Sequence, residues 1–576
     1  MKIFFRFFKQ YPKESILAPL FKLLEACFDL LVPMVVAVII DRGIGGEDRG
    51  LIIRMTLVLV LLAVVGLSCA LCAQYFAAKA AVGTAAKLRR ELFAHMQSFT
   101  YAQTDKMGTS SMITRITSDI NQVQSGINMI LRLFLRSPII VLGAMIMAFT
   151  IHPGLAWIFA ATIPLLSLVV FGVMLGGIPL FKKVQARLDR VTGVTRENLA
   201  GVRVIRAFCK EEEEIETFDK VNRQQTSLQN KAGILSTLMN PLTYVIVNLS
   251  VILLIDRGAI NVNVGGLTQG QLVALVNYMG QILVELVKFA NTIFLVTKAV
   301  ACSNRIGAVL DTPAGAEIQA DINDAASRKD AAVVFEKVTL TYHKGSHPSL
   351  SDIDFSVARG QTVGIIGGTG SGKSSLVNLI PRFYDATGGR VLVEGRDVRA
   401  YDPEALRARI GVVPQKAELF RGTIRSNLCW GKADATDEEL WTALELAQAA
   451  DFVRGKEGGL DAPVEQKGRN FSGGQKQRLT IARALVGHPQ VLILDDSASA
   501  LDFVTDAHLR AALKSLPHAP TTFIISQRTS SIKHADFIVV LEDGRAVGLG
   551  THEQLLASCD TYREIHMSQF KGGEEA

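Results

Sequence analysis

Charge is scarce in this sequence: Asp, Glu, Lys and Arg make up 20% of its 576 residues, against 49% hydrophobic. That balance excludes a disordered chain, which is poor in apolar residues and rich in charge. Cysteine is scarcer still, seven in all, too few for a disulfide-dense scaffold. Gly and Pro follow no period, which excludes a collagen-like rod. No small-residue cleavage site follows a short apolar core near the start, so no secretory leader is expected. What is present is uneven. Nearly all the long apolar runs fall before about residue 300, which divides the sequence into a membrane half and a soluble half.

A spanning helix needs roughly 20 mostly apolar residues, because 1.5 Å of rise per residue must cross about 30 Å of hydrocarbon. Runs that qualify lie near residues 15–40, 51–78, 129–150, 154–180, 234–255 and 270–300, which predicts about six spans. Before them, MKIFFRFFKQY mixes Phe with Lys2, Arg6 and Lys9, as suits a short helix on an anionic membrane face. Basic residues set the orientation. Lys87, Arg89, Arg90, Lys106 and Arg115 lie between the second and third spans. Lys182, Lys183, Arg187, Arg190, Arg196, Arg203 and Arg206 lie between the fourth and fifth. Both long connections, and both termini, are therefore placed in the cytoplasm. The net charge of +7 follows from these loops and requires no nucleic acid partner.

Each long connection has the composition to carry helices tens of Å beyond the bilayer. Helices reaching that far into water are expected to touch a second domain. Thr109 to Ile120 and Gly201 to Phe208, which mix small, apolar and Arg residues, are the expected contact points. Charges inside the spans form three groups: Lys22, Glu25 and Asp29; Arg132 and Arg136; Glu285 and Lys288. Helical spacing puts each group on one face. Such charges either line a polar cargo pathway or neutralise one another near the cytoplasmic ends, and the sequence leaves both open. Cys69 and Cys72 read as small residues for helix packing, not as a redox or metal pair.

The domains are expected at 1–305 for the membrane part, 306–330 for a polar Ala/Asp-rich linker and 331–576 for the soluble part. In the soluble part, β-rich runs such as VVFEKVTLTY and TVGIIG alternate with helical patterns, which predicts an α/β domain with a largely parallel sheet. TVGIIGGTGSGKSS fits G-x-x-x-x-G-K-[ST]. It runs through Gly367, Gly368, Thr369, Gly370, Ser371, Gly372, Lys373 and Ser374, followed by Ser375, directly after a strand and before a helix. Small residues there let backbone N–H groups close around phosphates. Lys373 is expected at the terminal phosphates and Ser374 on Mg²⁺. VLILDD ends an apolar strand in Asp495 and Asp496, where a metal-ordering carboxylate is needed.

Between these two elements stands NFSGGQKQRL, and with it the chain resembles ATP-binding cassette (ABC) half-transporters of the exporter type over essentially its whole length. The matching residues are Tyr342, the phosphate loop, Gln415 in VVPQ, Ser472, Gly473, Gly474 and Gln475, Asp495, and Ser499-Ala500-Leu501-Asp502. The resemblance implies adenine stacking at Tyr342, Mg²⁺ at Ser374, Gln415 and Asp495, and a signature at Ser472 to Gln475. It makes Asp502 part of a dimer-contact loop, and pairs two cassettes head to tail around ATP. It further implies alternating access in a multi-pass protein of a bacterial plasma membrane, with the cassette in the cytoplasm. Cargo would be an amphipathic drug, lipid or peptide, as in multidrug exporters. No peptide-processing domain is expected before the first span.

Two positions depart from the family pattern. Asp496 stands where the pattern has Glu, one methylene too short to polarise the attacking water well, and Gln527 stands where it has a switch histidine. Gln cannot carry a positive charge or shuttle a proton. The expectation is a site that holds ATP and hydrolyses it slowly, with an intact signature completing the site of a different half-transporter. The competing expectations are a homodimeric exporter, an ATP-gated regulatory or channel-like subunit, and an importer on the same scaffold. Phe471 replaces the more usual Leu before the signature, a mild apolar change.

Overall fold

A computed structural model describes residues 10–313, 315, 331–342, 347–497, 501–516 and 519–570. The amphipathic start, most of the linker, and Ser499 and Ala500 lie outside the described residues. The chain forms two compact units, Met1–Gln97 with Ser110–Pro313, and Ser98–Thr109 with Ala314–Ala576.

The first unit is built from long helices: α1 (Pro12–Val38), continued by a π-turn to Ile44, and α2 (Arg49–Gln97). After the short α3 (Tyr101–Met107), which belongs to the second unit, come α4 (Thr109–Ile151), α5 (Pro153–Ala207), α6 (Glu211–Asn263) and α7 (Gln269–Leu310). Six of these are long and apolar enough to cross a membrane, as the hydropathy predicts. The chain is an integral, multi-pass membrane protein. The fifth and sixth helices have 55 and 53 residues, so at 1.5 Å per residue each is about 80 Å long and outruns the bilayer by about 50 Å.

Small residues set the helix spacing. On α2, Cys69, Ala73, Ala77, Ala80, Ala81 and Ala85 form a buried stripe toward α1, so Cys69 packs as a small apolar residue while Cys72 faces outward. At Gly126 of α4 a Cβ would lie 2.2 Å from the Cβ of Ala299 on α7, so that crossing requires glycine. Asp41 ties the far end of α1 to α7, accepting from Thr268 Oγ1 at 2.5 Å and from the Gly270 N–H at 2.7 Å.

The second unit holds a six-stranded sheet ordered β12-β11-β3-β10-β9-β6 and a four-stranded sheet ordered β2-β1-β4-β5. Their strands are β1 (Ala331–Leu340), β2 (Leu350–Ala358), β3 (Thr362–Gly367), β4 (Gly388–Val393), β5 (Arg396–Asp397) and β6 (Ile410–Val413). After a small ribbon of β7 (Gly422–Thr423) and β8 (Pro463–Val464) come β9 (Val491–Asp495), β10 (Thr521–Ile525), β11 (Phe537–Glu542) and β12 (Arg545–Gly550). The large sheet is parallel except at its β12 edge. β10 is buried at every position, as a strand covered on both faces must be, whereas the edge strand β12 alternates. VVFEKVTL does not join TVGIIG in this sheet. It forms β1, in the separate antiparallel sheet, because it returns as β2 from Leu340 to Leu350, too short a step for the dozen or so residues a parallel crossover needs. The last membrane helix runs to Leu310, so residues 306–310 continue it.

Two features decide how the connection between the second and third spans divides between the units. Ser98–Thr109 clusters with the cassette, and α3 inside it is marked by a capping box at Thr100 and Gln103 and a positive φ of 77° at Gly108. Its Tyr101 ring stacks on Phe383 at 4.4 Å. Of the expected contact stretch Thr109 to Ile120, the residues from Ser110 onward belong to the membrane unit. The buried carboxylate of Asp119 takes both ends of Arg305 on α7, at 2.8 and 2.6 Å, and holds that stretch there. Gly201 to Ala207 are the last turns of α5 and Phe208, 73% exposed, caps them.

Candidate nucleotide site

β3 delivers the phosphate loop from the centre of the parallel sheet, and α8 (Lys373–Val377) leaves it. Backbone geometry explains the glycines. Gly370 and Gly372 have φ of +86° and +95°, and a Cβ at Gly367 would sit 2.1 Å from the Leu541 carbonyl oxygen. Only glycine meets those demands. Gly368 and Thr369 complete the exposed rim, while Ser371 is buried beneath it. Lys373 folds back over the loop, its Nζ donating to the carbonyls of Gly367 at 2.9 Å and Gly368 at 2.6 Å. Burial pulls the Lys373 ammonium below the usual lysine range, against the pull of Asp495 and Asp496.

The loop meets two carboxylates at the end of β9. Ser374 Oγ donates to Asp495 Oδ1 at 3.1 Å. Burial raises the Asp495 carboxyl above the usual range; the Ser374 bond opposes this and the Asp496 charge adds to it. Asp496 turns the chain out of the strand in a left-handed conformation, φ 48°, its N–H on the Ile525 carbonyl at 3.0 Å. Its Oδ2 accepts from Gln415 Nε2 at 3.4 Å. Gln527 is exposed after β10, and its carbonyl accepts from Gln569 Nε2 at 2.7 Å. The hard oxygens of Ser374, Asp495 and Gln415 suit Mg²⁺, which keeps several waters and phosphate oxygens and so needs few protein ligands. No group of three or more His, Cys, Asp or Glu side chains placed to hold a metal ion occurs among the described residues.

Tyr342 lies at the end of β1, half-buried, with its hydroxyl donating to Ser375 Oγ at 3.0 Å. The structure adds residues that motif reading missed. Tyr384 meets Tyr342 edge to face at 5.0 Å, and its hydroxyl donates to Asp105 of α3 at 2.6 Å. Burial, then the Asp105 carboxylate, pushes the Tyr384 hydroxyl well above the usual tyrosine range. Ser375, Tyr342, Tyr384 and Asp105 thus form a continuous line from the phosphate loop to α3. The Thr100 and Gln103 spacing, a capping-box pattern, signals the start of α3 but not this line.

The signature residues form a helix start. Ser472 caps α9 (Gly473–Leu485), accepting from the Gln475 N–H at 3.3 Å while Gln475 Oε1 accepts from the Ser472 N–H at 3.1 Å. Ser472 and Gly473 are exposed, with Gly474 and Gln475 in the first turn. Phe471 just before them is buried in the core, with Lys456 Nζ 4.6 Å from its ring centre, which accounts for an apolar residue there. Asp502 caps α10 (Phe503–Lys514), accepting from Thr505 N–H at 3.0 Å and Thr505 Oγ1 at 2.7 Å.

Known proteins resemble this chain over nearly its whole length. Residues 15–286 match the ABC transporter transmembrane region and residues 350–499 match the ABC transporter family. An uncharacterized ABC transporter ATP-binding protein of Mycobacterium tuberculosis is 36% identical over 566 residues, 97% of each chain. The ABC transporter ATP-binding protein YfiB of Bacillus subtilis is 35% identical over 98% of each. The ATP-dependent lipid A-core flippase of Salmonella typhimurium is 30% identical over 96% of this chain and 95% of its own. Among solved structures, a bacterial Atm1-family ABC exporter with ATP bound superposes with a TM-score of 0.79 at 24% identity, covering 99% of both chains.

Proposed function

Because this chain belongs to the ABC transporters and has the fold of an exporter half, we propose that it is one subunit of an ATP-driven exporter whose own nucleotide site binds ATP and turns it over slowly. The observation that carries this reading is the pairing of Asp496 and Gln527 with an otherwise complete phosphate site. Lys373 and the loop N–H groups would hold the phosphates, Tyr342 the adenine, and Ser374, Gln415 and Asp495 Mg²⁺. At Asp496 the carboxylate is one methylene short of the residue the family uses, and a displacement of about 1 Å costs on the order of a hundredfold in rate. Gln527 can orient a phosphate oxygen by hydrogen bonding and cannot carry a proton or a charge.

A homodimer would contain two such sites. A different half-transporter could supply its own phosphate loop, Glu and His opposite the intact Ser472–Gln475 helix start of this chain, making one competent site. ATP closes the pair through contacts made only in the closed state, which is what shifts the conformational equilibrium. The test is ATP turnover by the purified chain alone, with a candidate partner, and as Asp496→Glu/Gln527→His. Slow turnover alone, a rise of on the order of a hundredfold with one partner, and recovery in the double variant are expected. Full turnover by the unmodified chain alone would establish the homodimer instead.

A further inference from the structure

The three charge groups noted in the spans converge on one guanidinium. Arg136 of α4 donates to Glu285 of α7 at 2.6 Å and to Asp29 of α1 at 2.8 Å, with the Glu25 carboxylate 3.8 Å away. Ser137 donates to Glu285 at 2.8 Å, Lys288 to Glu285 at 3.0 Å, and Lys22 to Glu25 at 2.7 Å. Arg132 stands apart, bonded to Asn128. Three cations meet three anions, so the cluster is neutral. Asp29 lies 15 residues before Ile44, Arg136 15 before Ile151 and Glu285 16 after Gln269, so all three sit about 22–24 Å from the outer helix ends, in the inner part of the hydrocarbon.

Neutralisation does not use up the cluster. It borders a cavity of about 500 Å³ among α1, α4 and α7, with Val32, Ile140 and Val284 as apolar wall. Asp29 and Lys288 point ionic groups into it, their side chains 42% and 46% exposed where Arg136 is 12% and Glu285 5%. Asp29 spends one acceptor site on Arg136, and Lys288 one of three donors on Glu285. Asn277 and Gln281, on the face of α7 that carries Glu285 and Lys288, make no side-chain hydrogen bond among the described residues. The Gln281 Oε1 atom is buried without a partner. Unspent polar groups at this depth call for a ligand, since hydrocarbon offers none.

We propose that this cavity binds the zwitterionic head of an amphipathic cargo, its ammonium on Asp29, its anionic group on Lys288 and its remaining polar atoms on Asn277 and Gln281. This rests on the reading of the chain as an exporter subunit. A zwitterion uses both free ionic arms and adds no net charge to a balanced cluster, whereas a singly charged head leaves one arm unmatched and buries its own charge. A phospholipid with an amine headgroup and a short apolar peptide with free termini share this chemistry.

The test is equilibrium binding to the nucleotide-free full-length protein, with any co-purifying half-transporter retained. The probes are short-chain phosphatidylethanolamine, phosphatidylglycerol and a cationic lipid with the same tails, with an apolar tripeptide as competitor. The zwitterionic lipid or the tripeptide should bind about 10-fold tighter than either singly charged lipid, the worth of one charge-assisted hydrogen bond. Asp29→Asn should lower affinity for the zwitterionic and cationic probes alone, and Lys288→Gln for the zwitterionic and anionic ones alone. Asn277→Ala/Gln281→Ala leaves the ion pairs intact and should still weaken the zwitterionic probe, so a misfolded Asp29 variant does not blind the test. Preference for the lipid or for the tripeptide identifies the source and upholds the site. Equal affinity for all heads, or a zwitterion preference that survives both Asp29→Asn and Lys288→Gln, overturns it. No hydrolysis is involved, so slow or absent turnover leaves this result untouched.

Discussion

Two cations illustrate how differently the two units hold charge. Lys373 is held by neutral carbonyls, those of Gly367 and Gly368, six and five residues away in sequence. Arg136 is held by carboxylates 107 and 149 residues away on two other helices. A carbonyl gives up an ammonium readily when a phosphate offers full charge. The buried Glu285 carboxylate does not release the guanidinium so readily, because separating two opposite charges in a low-dielectric setting is costly. The phosphate loop is therefore poised for exchange, and the Arg136 cluster is structural at its centre with only its arms, Asp29 and Lys288, available.

That contrast can be broken by three experiments. The largest effect is expected for Arg136→Ala, which takes the guanidinium from Glu285 and Asp29 and leaves the cluster with one excess negative charge. Thermal unfolding of the membrane helices in detergent should show a loss of about 3–5 kcal/mol, with nucleotide affinity of the cassette unchanged. Restoring neutrality with Glu285→Gln in the same chain should return part of that loss. If Arg136→Ala unfolds no earlier than the parent, the cluster is not structural. Lys373→Ala should do the converse, leaving the unfolding midpoint in place and weakening ATP binding roughly 10- to 150-fold, the worth of a charged hydrogen bond of about 1.5–3 kcal/mol. A fluorescent ATP analogue reads this directly, and an unchanged affinity would deny Lys373 its phosphate role.

The smallest effect concerns acid. Mg²⁺ needs Asp495 ionised, and burial beside Asp496 places its carboxyl above the ordinary range. A raised carboxyl is protonated sooner as pH falls, so the Mg²⁺-dependent part of ATP binding should be lost at a higher pH than an ordinary aspartate would impose. Asp496→Asn removes the neighbouring charge and should move that loss to lower pH. Titrating binding with and without Mg²⁺ checks both, and a loss that Asp496→Asn leaves in place would remove the like-charge contribution.

Local patterns carried far in this chain. Runs of about 20 apolar residues sufficed for the six spans, because a bilayer imposes length and hydropathy alone. The G-x-x-x-x-G-K-S spacing located the phosphate loop, because positive φ and close backbone approach at Gly367, Gly370 and Gly372 admit one residue type. Ser472 and Gln475 could likewise be read as they stand, since a capping box spans four residues. That Ser98–Thr109 joins the cassette was not legible, for the opposite reason. What holds Tyr101 is the ring of Phe383, and what holds Asp119 to the membrane unit is Arg305, 186 residues on.

The sequence by itself determined that this protein is a six-span membrane chain with a nucleotide cassette, and that its cassette carries Asp496 and Gln527. Those facts rest on composition and on spacings of a few residues, which no distant contact can alter. Tertiary structure alone decided that Lys22, Glu25, Asp29, Arg136, Glu285 and Lys288 make one neutral cluster, and which of its arms face a cavity. It also decided that α3 joins the cassette. Charge pairing and ring stacking act over a few Å in space regardless of separation along the chain, so only packing of α1, α4 and α7 reveals which charges meet.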